Sequence, residues 1–135
     1  MEEDEIQWKC DDAHCRIGLT RKVAKVFAKL DAKIRASLLR WMGHFAKEGG
    51  TNLPPERFKF ERRVQIGNDA HGIFVFKEWQ TRLYGGYLPD ASPKAFLITE
   101  IDDAKKQNKA DQTIFDRAAK ILQQHAASAR GEKKK

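Results

Sequence analysis

The chain has 135 residues, 41% of them hydrophobic and 33% charged, with a formal net charge of +7. A single domain of that length builds its core without disulfides or a structural metal, and no apolar run approaches the roughly 18 residues that span a membrane. The acidic start MEEDE is the opposite of the basic n-region of a signal peptide, so the expectation is a soluble cytoplasmic protein.

Residues 1–12 hold six acids (Glu2, Glu3, Asp4, Glu5, Asp11, Asp12) against Lys9, and read as a charged, aperiodic arm. Removing them leaves 25 bases against 13 acids, a field that attracts nucleic acid or an acidic protein segment. The organisation predicted is a flexible acidic arm over 1–13, one domain over 14–128 and a basic flexible tail over 129–135. In "CDDAHC", Cys10, His14 and Cys15 would supply three zinc ligands. A structural site takes four and no second Cys/His pair follows, so no metal or other cofactor is expected.

"HCRIGLT" alternates weakly and predicts a short strand, with Thr20 placed as a helix N-cap. From Arg21 to Lys47, apolar residues at Val23, Val26, Phe27, Leu30, Ile34, Leu38, Trp41, Met42 and Phe45 follow helical spacing. One long helix and two helices joined at "KLD" fit equally well, since Asp31 is a fair N-cap. Gly49-Gly50 and Pro54-Pro55 end the helical region. "FKFERRVQI", "IFVFKEWQTRLYGGYL" and "KAFLITEI" then carry the alternation and β-branched and aromatic content of antiparallel strands. A last helix starts near Asp111, with Ile114, Phe115, Ala118, Ile121 and Leu122 as its buried stripe. The fold class predicted is α+β: a small antiparallel β-sheet with two N-terminal helices packed on it and a C-terminal helix.

The chain has no GxSxG, HExxH, P-loop or GxGxxG motif. Its polar signal lies in two places. "AKKQNKA" sets Lys105, Lys106 and Lys109 before the last helix, where the dipole suits an incoming anion better than a cation of the chain itself. "FKEWQTRLYGG" sets Lys77, Glu78, Arg82 and Tyr84 close together, and alternation puts Arg82 and Tyr84 on one face. Arg82 is suited to grip a phosphate and Trp79 or Tyr84 to stack a base. The competing reading is a cation packed along aromatics at a sheet edge, with Gly85-Gly86 marking a bulge. Of the four histidines, His71 alone falls in a turn that a basic sheet could place beside RNA.

In "LTRKVAKVFAKLDAKIRASLLRW", "FKEWQTRLYGGYL" and "AKKQNKADQTIFDRAAKIL" the chain resembles the RelE/ParE superfamily of toxin-antitoxin toxins, in particular its phage-borne HigB-like branch. The resemblance runs from about His14 to Leu122 and implies an RNA-cutting toxin acting on mRNA in the ribosomal A site. Attack of the ribose 2′-OH on the neighbouring phosphate would need no metal or cofactor. It also implies a cognate antitoxin protein as partner, the toxin being monomeric within a hetero-oligomeric complex and not associated with membranes. Carried onto this sequence, the catalytic group is Lys77, Arg82, Tyr84 and Lys106, and the RNA-binding group Trp79, Lys105, Lys109, Phe115 and His71. The basic residue before the last helix falls equally on Lys105, Lys106 or Lys109. Phe115 stands where the family has a tyrosine; it can stack a base but cannot move a proton, which leaves that task to Tyr84, Glu78 or His71. The alternative implied is a gyrase-directed or non-catalytic nucleic-acid-binding relative.

Overall fold

The computed structural model describes residues 5–103 and 112–130. The elements run β1 (Ile6–Asp11), β2 (Arg16–Thr20), α1 (Arg21–Ala28), α2 (Ala32–Glu48), β3 (Phe58–Ile66), β4 (Asp69–Glu78), β5 (Thr81–Tyr87), β6 (Ala95–Asp102) and α3 (Gln112–Arg130). The sheet order is β1-β2-β6-β5-β4-β3. Strands β3 to β6 form an antiparallel meander, and β2 lies parallel to β6.

This architecture corrects the expected one in two respects. The chain begins with two strands rather than with helices, and the parallel β2–β6 pair makes the sheet six-stranded and mixed instead of small and antiparallel. Residues 6–11, read as part of a loose arm because of their flanking charges, pair antiparallel with β2. Gly18 accounts for that pairing: a Cβ there would run into Ile6 Cγ2 and lie 2.8 Å from Trp8 Cε3, so β1 settles into the space that glycine leaves. The Arg16 guanidinium stacks 3.9 Å from the Trp8 ring and closes the contact.

Two helices form between β2 and β3. Thr20 Oγ1 caps α1 by accepting from the Val23 amide, and Asp31 caps α2 by accepting from the Lys33 amide at 3.0 Å, so the chain breaks at Leu30-Asp31. Gly49, with φ of +81°, ends α2.

The sheet has a core on each face. On one, α1 and α2 bury Ile17, Leu19, Phe58, Phe76, Leu83, Phe96 and Ile98, with Phe45 of α2 against the rings of Phe58, Phe76 and Phe96. On the other, α3 sets Ile114, Phe115, Ala118, Ala119 and Leu122 against Val64, Ile73, Val75, Tyr84 and Leu97. Strict alternation along β4 feeds both cores, Phe76 to the first and Ile73 and Val75 to the second.

The register of β5 on β6 slips between Tyr84 and Gly85, leaving Thr99 as the extra residue. At Gly85 a Cβ would run into the Leu97 carbonyl oxygen and lie 2.8 Å from Ile98 Cα, backbone atoms that cannot step aside. The Gly85→Ala variant is expected to lose about 3 kcal/mol, at the upper end for overpacking, seen as a lower urea midpoint. A midpoint equal to the parent's would show that β5 and β6 are not in this register.

Candidate nucleic-acid interface

The β4–β5 connection is two residues long, Trp79 and Gln80, with Glu78 paired to Thr81. Trp79 has φ of +55° in a position that glycine usually takes in a type II′ hairpin turn. Its ring is 71% exposed. A bulky residue in the left-handed region costs on the order of 1–3 kcal/mol, a local expense that points to use of the ring. Arg82 Nη1 donates to the carbonyl oxygens of Trp79 at 2.7 Å and Thr81 at 3.2 Å, so the guanidinium braces the turn.

Lys77 lies directly opposite Arg82, and Arg82 opposite Asp102 of β6. Residues facing each other across a ladder share a face, so these three form a row across β4, β5 and β6. Lys59 of β3, opposite Val75, lies on that face too, diagonal to Lys77. The face is the one covered by α3 further along, where Val75 and Tyr84 are buried. Burial and the like charges of Lys59 and Arg82 hold the Lys77 ammonium below its usual pKa, partly offset by Glu61 and Glu56. Lys59, Lys77 and Arg82 are candidates for holding an anion, with Lys59 paired to Glu61 at 3.9 Å and Asp102 opposite Arg82, and the exposed indole beside them suits a ligand carrying both phosphates and bases.

The other residues singled out from the sequence fall elsewhere. Tyr84 shares the face of Arg82, but it is 2% exposed and set edge-on to Phe115, ring centroids 5.6 Å apart. Phe115 is buried as well, between Tyr84 and the Arg62 guanidinium, which lies 4.8 Å from the ring. Tyr84, expected as a catalytic group, and Phe115, expected as an RNA contact, are thus both core positions where α3 packs on the sheet. His71 is also buried: its Nε2 donates to Gln123 Oε1 at 2.7 Å, and Gln123 Nε2 donates to Asp69 Oδ2 at 2.9 Å. It ties α3 to β4 rather than facing a ligand. Glu78 is on the opposite face, accepting from Ser37 Oγ at 2.8 Å and paired with Arg57 at 3.0 Å. Lys105, Lys106 and Lys109 lie outside the described residues. Of the three zinc-ligand candidates, Cys15 is buried in the helix-covered core, and His14 Nε2 is hydrogen-bonded to Tyr87 Oη at 2.9 Å.

Lys59 and Asp102 were not legible as site residues. Counting back from the hairpin turn places Asp102 only if the slip at Gly85 is known, and Lys59 only if the second irregularity, between Phe60 and Arg62, is known. Among the described residues, no helix is long and apolar enough to cross a membrane. Comparison of the chain with protein-family models, curated proteins and solved structures finds no match.

The lowered pKa of Lys77 has a measurable consequence. Its ammonium form is the one that attracts a phosphate, and it loses its proton at a lower pH than an ordinary lysine. Affinity for a short single-stranded oligonucleotide, followed by fluorescence anisotropy from about pH 7 to 10, should fall on the alkaline side before ordinary lysines titrate. Lys77→Arg should flatten that decline, because guanidinium stays charged throughout. The same decline in the arginine variant would remove Lys77 from the site.

Proposed function

We propose that the protein is an endoribonuclease that holds an RNA phosphate on Lys59, Lys77 and Arg82 and stacks an adjoining base on Trp79. The observation that carries this reading is the cation row itself: Lys77 and Arg82 directly opposed, with Lys59 diagonal to them, beside a strained and exposed tryptophan. Like charges set opposite one another cost stability, and an anion bound between Lys77 and Arg82 would offset that from the near side as Asp102 does from the far side of Arg82.

In this reading the ribose 2′-OH loses its proton to the Asp102 carboxylate, at the end of the row, and its oxygen bonds to phosphorus. Arg82 and Lys59 stabilise the added negative charge of the pentavalent phosphate. As the bond from phosphorus to the 5′ oxygen breaks, the Lys77 ammonium supplies the proton that makes the 5′-OH. Its lowered pKa makes it a stronger acid than a solvated lysine. The products are a 2′,3′-cyclic phosphate and a 5′-OH. Proton transfer is assigned here to Asp102 and Lys77, because Tyr84 is out of solvent's reach.

The resemblance of "FKEWQTRLYGGYL" and "AKKQNKADQTIFDRAAKIL" to toxin sequences extends the proposal: the RNA is mRNA being translated in the cytoplasm. The partner is an antitoxin whose acidic segment covers the cation row. One observation favours a second reading. With Tyr84, Phe115 and His71 all buried, the same surface could bind nucleic acid without cutting it.

Induction in bacteria followed by mapping of 5′-OH RNA ends separates the two. Codon-phased cuts in translated messages are expected, and Arg82→Ala should abolish them; because its guanidinium also braces the Trp79 turn, the variant should lose about 1–2 kcal/mol of stability and still fold, as a thermal melt would show. Intact messages on induction of the parent protein would refute the ribonuclease reading. Cleavage retained by a well-folded Arg82→Ala protein would refute the site.

A further inference from the structure

The face of the sheet covered by α1 and α2 is not covered to its end. Phe60 of β3 is 48% exposed there, and Phe74 and Tyr87 continue the row of rings, with centroids 5.3 Å apart for Phe60 and Phe74 and 6.0 Å for Phe74 and Tyr87. Together with Arg63, Gly72 and Pro89 they line a shallow groove of about 550 Å³. Gly72 gives it an open floor, since a Cβ there would crowd the Phe60 ring at 3.3 Å. Hydrophobic burial would turn Phe60 inward, and nothing in the sheet covers it.

The charges around the groove restrict what it would take. Arg63 is part of its wall, the Lys94 ammonium lies 5.1 Å from the Tyr87 ring centre, and no carboxylate lines it among the described residues. An anionic chain with flat apolar groups matches that combination of aromatic faces and cationic rim. The groove also connects to the cation row through one strand. At the irregularity between Phe60 and Arg62, β3 sends Lys59 and Arg62 to the face that bears Lys77, and Phe60 and Arg63 to the groove.

We infer that the groove of Phe60, Phe74 and Tyr87 is a second RNA-binding surface, stacking the bases of a single strand that passes round the β3 edge from the cation row. The inference rests on the ribonuclease reading and adds to it a preference for unpaired RNA longer than the scissile dinucleotide. Tyr87 takes part as a fixed wall, because its hydroxyl is hydrogen-bonded to His14 at 2.9 Å and the Lys94 ammonium sits over its ring. Arg63 and Lys94 meet the phosphates between the stacked bases.

The test compares two uncleavable probes, a 2′-O-methyl dinucleotide and a 2′-O-methyl single strand of about eight nucleotides, in the range of known single-strand sites. The parent protein should bind the longer probe more tightly. Phe60→Ala should weaken the longer probe about tenfold, the loss expected for one stacked base, and the dinucleotide much less. Arg63→Ala should act in the same direction, and circular dichroism melts would show that both variants are folded. Unchanged affinity of the folded Phe60→Ala protein for the longer probe would overturn the inference, whereas the ribonuclease reading would stand if Arg82→Ala still weakened both probes. Equal weakening of both probes by Phe60→Ala would also overturn it. No binding of either probe by the parent would overturn both readings.

Discussion

At Gly85 the backbones of β5 and β6 approach so closely that no side chain fits between them, and the register of β5 on β6, which sets the candidate site, depends on that contact. The slip beside it frees Thr99, whose Oγ1 donates to the Ala118 carbonyl oxygen at 3.0 Å and anchors α3 to the sheet. Past the slip, β5 continues with Tyr84 opposite Glu100 and Arg82 opposite Asp102. Glu100 is buried and meets Arg117 of α3 at 3.4 Å, so the helix is held by a charge pair at the same level as Tyr84. One step further, the helix no longer covers the face, and Arg82 and Lys77 stand where Tyr84 and Val75 do not.

Two local costs meet at that end of the molecule. Lys77 and Arg82 face each other across a ladder, and Trp79 occupies backbone space suited to glycine. Arg82 offsets part of its cost by bracing the turn through the Trp79 and Thr81 carbonyl oxygens, whereas the left-handed backbone at Trp79 would be relieved by glycine. Broken local rules of this kind cluster at binding sites, and the cations of the row are the ground on which an anionic ligand is proposed. The burial that moves Lys77 below its usual pKa comes from the same packing that brings Lys59 and Arg82 close.

The meander from Phe58 to Asp102 and the three helices follow from patterns visible in the sequence, because period-2 and helical spacing report which face each residue turns to the core. The parallel β2–β6 pair was not visible, since it joins segments separated by two helices and three strands. Strand β1 was obscured by its charges; what holds it is the space over Gly18, a tertiary fact. Alternation correctly set Arg82 and Tyr84 on one face but carries no information about how far a helix covers that face, and coverage is what separates their fates. For Phe115 the helical stripe already pointed inward, where the residue is buried, whereas the resemblance to toxin sequences implied a base contact. The nearness of Lys77, Trp79 and Arg82 was legible because a two-residue turn joins Lys77 and Arg82 as partners and carries Trp79 between them.

The most direct test of the central claim, that the β4–β5 hairpin holds the RNA phosphate, is amide chemical-shift mapping by NMR as a 2′-O-methyl dinucleotide is titrated in. The largest shifts should fall on Lys77, Trp79, Arg82 and Asp102, with Lys59 following and the outer face of α3 silent. Shifts concentrated on β1 or along α2, with the hairpin unmoved, would contradict it.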